Sequence, residues 1–138
     1  MADILIFSDS AIYVEQNYII YSIVVKEPES EKTNRYTKRI NKEINKPYSS
    51  KSELGAINFA LKYILETKMI DCKNKKIIIF NDNIKVIRRV KSAPAFCIWN
   101  KVRKIESILN SDIKFIWVPR ELNLAGLDIK LQEERGIQ

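Results

Sequence analysis

Three tetrapeptides made wholly of apolar residues constrain this chain most: Ile4-Leu5-Ile6-Phe7, Ile77-Ile78-Ile79-Phe80 and Phe115-Ile116-Trp117-Val118. The first two read as strands buried on both sides, and the third as the last strand, ended by Pro119. Strands of that kind pair in parallel at the centre of a sheet, and parallel neighbours need crossover connections, usually helices. The segments between them have the required period. Leu54, Ile57, Leu61 and Ile64 recur at helical spacing with Ala56 and Ala60 alongside, which predicts a helix of about four turns from Ser50. A short basic helix is expected over 84–91, stopped near Pro94. A longer one carries Ile98, Val102, Ile105 and Leu109 on one face, and a last helix begins near Asn123.

The opening third reads differently. Tyr18 to Lys26, rich in Ile, Val and Tyr, is a second strand that Pro28 ends, and residues 33–41 form a more exposed third strand at a sheet edge. Closely spaced strands suit antiparallel hairpins. The expected order is three strands, helix, strand, two helices, strand, helix: an α/β domain on a mixed sheet of five strands. A chain of 138 residues suits a single domain over 1–138. With 46% apolar and 30% charged residues, the balance is that of an ordinary globular protein.

Composition narrows the chemistry. There is no His, which removes the commonest acid–base catalyst and the commonest zinc ligand together. Cys72 and Cys97 are the only thiols, so a disulfide framework is not expected and a reducing cytoplasm fits. The longest apolar stretch, Tyr18 to Val25, is far short of the ~20 residues of a membrane helix, and Met1-Ala2-Asp3 does not read as a signal peptide. No membrane partner is expected, and the chain reads as a monomer. The net charge of +7 is unevenly spread: segments 31–51 and 83–105 carry +12 between them, leaving −5 elsewhere. Basic clusters beside an acidic remainder suit a polyanion, although solvated helix faces give the same count.

Two of the apolar strands end in an acid, Asp9 and Asp82. As parallel neighbours they would lie ~4.8 Å apart and present both carboxylates at one sheet edge, where α/β sheets place ligands. Glu53, at the start of the first long helix, could point into the same crevice. Bare carboxylates about 4 Å apart repel by roughly 4 kcal/mol at an effective dielectric of 20, so such a group needs protons or a cation. All-oxygen ligands favour Mg²⁺ or Mn²⁺. Two such ions would activate water and stabilise the leaving oxygen in phosphodiester hydrolysis without His. Each acid also has an ordinary role open to it: Ser50-Lys51-Ser52-Glu53 fits a capping box, Asp82 could cap the next helix, Asp9 could serve a turn, and Asp128 could be a solvated helix residue.

Taken together, the motifs resemble the ribonuclease H family of the type 1, reverse-transcriptase-like kind, from about Ile4 to Gly136. Phe7-Ser8-Asp9-Ser10 is similar to its first-strand Asp motif, and Glu53-Leu54-Gly55-Ala56-Ile57-Asn58-Phe59-Ala60-Leu61 to its E-L-x-A helix. Ile79-Phe80-Asn81-Asp82-Asn83 resembles the fourth-strand Asp motif and Ile98-Trp99-Asn100 the opening of a later helix. Trp117-Val118-Pro119-Arg120-Glu121-Leu122-Asn123 resembles the W-V-P-R-E-x-N loop.

The resemblance implies the ribonuclease H-like five-stranded mixed sheet with helices on both faces: its first three strands antiparallel, the later two parallel to the first. It implies cleavage of the RNA strand of RNA–DNA hybrids with two divalent ions, Mg²⁺ or Mn²⁺. Asp9, Glu53 and Asp82 are carried over as catalytic metal ligands, Asp9 bridging both ions. The family's fourth acid, four residues after the loop Asn, is Leu127 here. Asp128, one residue on and ~100° around the helix, is the candidate fourth ligand: either the loop carries a one-residue insertion or the second metal is held less well. The family's usual loop His is missing; Arg120 or Glu121 could border the space it would fill, with no role assigned to either. The usual Gly-rich turn between the first two strands is replaced by Ser10 to Asn17. Ser49, Ser50 and Lys51 match polar residues that hold a DNA phosphate, and Asn83, Asn123, Arg88 and Arg89 complete the substrate-binding set. Two alternatives stand beside this: a nucleic-acid-binding module with weakened catalysis, and another nuclease of the same superfold.

Overall fold

A computed structural model describes residues 3–44, 49–67, 69–92 and 96–134, with the side chains of residues 49, 50, 69, 70, 96 and 97 outside the description. Strands β1 (Asp3–Tyr13), β2 (Tyr18–Glu27) and β3 (Lys32–Asn41) precede helices α1 (Ser49–Glu66) and α2 (Met69–Cys72). Then follow β4 (Lys76–Asn81), α3 (Ile84–Lys91), α4 (Phe96–Leu109), β5 (Asp112–Trp117), a 3-10 turn (Arg120–Leu122) and α5 (Leu124–Glu134). The sheet order is β3-β2-β1-β4-β5. The first three strands pair antiparallel, whereas β4 pairs parallel with both β1 and β5. This is the expected mixed sheet, with short α2 and the 3-10 turn added. Both are single-turn pieces with too few apolar positions to show a period.

Burial along the central strands differs from the expectation. In β1 and β4, Ile4, Ile6, Ile77 and Ile79 are wholly buried, whereas their neighbours are half-exposed. The reason is unequal cover. Ile4, Ile6, Ile23, Ile77 and Ile79 form one core with the inner faces of α1, α3 and α4. Among the described residues the opposite face is covered by α5, which packs on β1 and β2. There Phe7 and Phe80 stack on each other with ring centroids 4.7 Å apart.

The β1–β2 connection makes its reversal without glycine. Both strands run on to Tyr13 and Tyr18, and Asn17 takes the left-handed conformation (φ 55°) that Asn tolerates among L residues. Its side-chain oxygen accepts the Ile44 N–H at 3.2 Å, fixing the chain that leaves β3.

Candidate active site

The parallel register pairs Phe7 with Phe80, so the residues that follow, Ser8-Asp9 and Asn81-Asp82, leave the core side by side. Helix α1 brings Glu53 over this edge; Ala56 and Ala60, both fully buried, let it pack closely on the sheet. Asp9, Glu53 and Asp82 thereby offer carboxylate oxygens that all lie within 4.8 Å of one another. They line an open groove of about 1120 Å³, which also takes in Arg120, Lys85 and Lys130.

Glu53 is only 5% exposed. Its Oε1 accepts the Ser10 backbone N–H at 2.8 Å and a hydrogen bond from the Ser10 hydroxyl. Its Oε2 is buried and has no hydrogen-bond partner. The capping-box role therefore does not hold: Oε1 is taken by Ser10 and Oε2 accepts from no N–H of α1. Burial first, and the Asp9 charge second, push the Glu53 carboxyl up to about 8. Burial and then the Asp82 charge push Asp9 up to about 6, with Arg120 among the groups that oppose the rise. A carboxylate oxygen buried without a donor, beside two more carboxylates, is poorly served by water or protein but well matched to a hard cation. The donor set thus fits a divalent ion.

Behind the acids lies a buried polar layer of which the sequence reading named only Asn123, and that as a substrate contact. Ser8, Asn81 and Asn123 are all fully buried. Ser8 Oγ donates to the Phe80 carbonyl at 2.8 Å, and Asn81 Nδ2 donates to the Ser8 carbonyl at 3.1 Å. Asn123 Nδ2 donates to the Ser8 carbonyl at 2.9 Å and to Asp82 Oδ2 at 3.1 Å, while its Oδ1 accepts the Ala125 N–H at 3.2 Å. Trp117 Nε1 donates to the Asp82 carbonyl at 3.0 Å. A polar residue directly after each of the first two apolar tetrapeptides was the available signal for Ser8 and Asn81. Asn123→Ala, which removes the side-chain hold on Asp82, is expected to weaken metal binding by roughly 10–100-fold, the usual cost of losing an outer-shell partner. Calorimetric Mn²⁺ titration of the variant checks it.

Other predicted site residues are placed elsewhere. Asp128 is 9% exposed, but Arg35 Nε lies 3.3 Å from its Oδ1, and Gln132 Nε2 and Ser22 Oγ reach its Oδ2 at 3.0 and 3.4 Å. It faces β2 and β3, and the structure does not bring it into the cluster. On the groove side α5 presents Gly126, Leu127, Ile129, Lys130 and Glu133. Asn83 caps α3, its Oδ1 accepting the N–H groups of Lys85 and Val86 at 3.1 and 3.2 Å, and it also lines the groove. Arg88 and Arg89 are exposed in the last turn of α3, beyond the groove lining. Lys51 is exposed in the first turn of α1; the side chains of Ser49 and Ser50 lie outside the described residues.

The strand order and connectivity define a ribonuclease H-like fold. The chain superposes on the N-terminal RNase H domain of Rv2228c from Mycobacterium tuberculosis, solved as a fusion with maltose-binding protein. The TM-score is 0.64 at 16% identity, covering 97% of this chain and 99% of that one. LC11-RNase H1, isolated from compost by a metagenomic approach, gives 0.65 at 16% identity over 94% and 93%. The same protein in complex with an RNA/DNA hybrid gives 0.61 at 17% identity, with 88% of each chain covered. No family model matches the chain, and no curated protein does so significantly.

Proposed function

We propose that this chain is a metal-dependent endoribonuclease that hydrolyses the RNA strand of RNA–DNA hybrids. The observation that carries the reading is the buried Glu53 Oε2, without a donor, in a cluster with Asp9 and Asp82 at the edge of a ribonuclease H-like sheet. The hybrid bound by the structurally similar LC11-RNase H1 supports the substrate class. Asp9, Glu53 and Asp82 are the proposed ligands of two Mg²⁺ or Mn²⁺ ions. Ions of this kind, when bound, supply an activated water and charge stabilisation at the leaving oxygen of a phosphodiester.

The chain's own residues prepare that chemistry. Ser10 and Asn123 fix the orientations of Glu53 and Asp82. Lys85, Arg120 and Lys130 stand in the groove beside its acids, Glu121 and Glu133 among them, and a phosphate backbone can bind these cations by charge and reach alone. Lys51, Arg88 and Arg89 are exposed cations suited to extending that track, with Ser49, Ser50 and Asn83 as polar contacts. Discrimination from DNA would come through 2′-hydroxyl contacts in the minor groove of an A-like duplex.

One observation favours a second reading, a binding module with weakened catalysis: among the described residues, α5 adds no carboxylate to the cluster. Labelled hybrid, double-stranded RNA and double-stranded DNA incubated with Mg²⁺ or Mn²⁺ separate the two. The proposal expects cleavage of the RNA strand of the hybrid, abolished by a chelator. Salt-sensitive hybrid binding without cleavage in either metal selects the binding module.

A further inference from the structure

Gly126 occupies the third position of α5, inside a helix where Gly is a poor former, so its presence needs a reason. That reason is space. A Cβ built at Gly126 would lie 2.7 Å from Asp9 Oδ2, 3.6 Å from Asp9 Cγ and 3.9 Å from Asp82 Oδ2. The first of these is closer than real Cβ contacts come, and the atom met is a carboxylate oxygen of Asp9, one of the three clustered acids. The same turn of helix grips the second carboxylate through Asn123, which donates to Asp82 and accepts the Ala125 N–H.

We propose that the first turn of α5 is the template that sets the spacing of the Asp9 and Asp82 carboxylates, with Gly126 as a positioning residue for Asp9. The inference deepens the metal-centre reading above and rests on it. Two routes could relieve a methyl group at Gly126: α5 could withdraw, or the Asp9 carboxylate could turn. The helix is tethered along its length. Asn123 holds its start to Ser8, the Asp128–Arg35 ion pair and the Gln132–Thr37 hydrogen bond hold it to β3, and the Tyr13 hydroxyl donates to Glu133 near its end. The Asp9 carboxylate ends a single side chain, held by hydrogen bonds with the Ser10 backbone and Glu53, against ties from α5 to three strands, so it is Asp9 that gives way. A turned Asp9 no longer converges on the space it shares with Glu53 and Asp82. Packing at Gly126 is thereby coupled to metal affinity without any contact between Gly126 and the metal.

The test is a double-mutant cycle on the full chain, read by Mn²⁺ calorimetry and by thermal unfolding without metal. Gly126→Ala is expected to bind Mn²⁺ about tenfold more weakly than the wild type, at the low end of the range for lost supporting contacts. Ala is the better helix former, so in an Asp9→Ala chain, where the obstructing carboxylate is gone, the same substitution is expected to raise the unfolding temperature. In the wild-type chain it is expected to give no such gain. Should Gly126→Ala alone not fold, the Asp9→Ala chain still decides: under the proposal, Gly126→Ala in that background folds. Equal loss of unfolding temperature in both backgrounds would mean that the methyl meets something other than Asp9, and would overturn the proposal. So would wild-type Mn²⁺ affinity in Gly126→Ala. A wild-type chain that binds no Mn²⁺ overturns the metal reading itself, a result distinct from either.

Discussion

Asp82→Asn is expected to abolish hybrid cleavage and, at the same time, to make the metal-free protein more stable than the wild type. The three carboxylates lie within 4.8 Å of one another, and two ionised ones about 5 Å apart repel by roughly 3 kcal/mol at an effective dielectric of 20. Asn keeps the shape of Asp82 and can still accept from Asn123, so the substitution removes charge and little else. Divalent metal should reverse the order: it binds and stabilises the wild type in proportion to its occupancy of the folded state, and stabilises Asp82→Asn far less. Thermal unfolding with and without Mg²⁺ therefore shows two curves that exchange places. Loss of activity should exceed the ~10–100-fold expected of an outer-shell residue such as Asn123. Cleavage that survives Asp82→Asn unchanged sinks the site.

Burial, with that repulsion second, fixes the sign of the pH dependence. Glu53 and Asp9 are pushed up, to about 8 and about 6, from ordinary values of 4.5 and 3.8. Between those limits the folded, metal-free chain holds protons that the unfolded chain has released. Its stability therefore falls as pH rises from about 4 to about 8, and is greatest on the acid side of that window with respect to these two groups. Glu53→Gln should flatten most of that slope.

Leu127→Asp is expected to strengthen the site. Leu127 lines the groove at the start of α5 and is 43% exposed, an apolar side chain beside three carboxylates. A carboxylate there would add a fourth oxygen ligand. It would also sit in the first helical turn, where negative charge is favoured by the helix dipole. Mn²⁺ affinity is expected to rise about tenfold, with hybrid cleavage rising alongside, because hard cations respond to ligand charge and number. Asp128→Ala is the contrasting variant. It breaks the contacts to Arg35, Ser22 and Gln132, so it should cost about 1–3 kcal/mol of stability while leaving Mn²⁺ affinity unchanged. Equal Mn²⁺ affinity in Leu127→Asp and the wild type would show that this face of α5 does not reach the ions.

What could be read from the chain beforehand depended on how local the physics was. The order of strands and helices was legible because apolar runs and helical periods are local signals, and α3 appears over the predicted 84–91. The meeting of Asp9 with Asp82 was legible too, since parallel neighbours place strand ends together. Asp128 shows where this stops. A shift of ~100° around a helix decides which face an acid occupies, and the partner that claims it, Arg35, lies on β3, far away in sequence. Asn123 looked like a substrate contact, yet it is fully buried and spends its hydrogen bonds on Asp82, Ser8 and the α5 backbone. Gly126 carried no signal at all, because a close approach between a helix and a carboxylate is a tertiary fact. The missing Gly-rich turn was legible as a departure, but not its replacement by longer strands and a left-handed Asn17.

The central claim is that Asp9, Glu53 and Asp82 form a metal centre whose protons must leave before the cation enters. Calorimetric titration of the wild-type chain with Mn²⁺ at pH 6 and pH 8, beside Glu53→Gln, tests it most directly. The prediction is tighter binding at pH 8, proton release on binding at pH 6, and a sharp loss of affinity in Glu53→Gln. Absence of Mn²⁺ binding, or binding that is the same in Glu53→Gln and indifferent to pH, would contradict it.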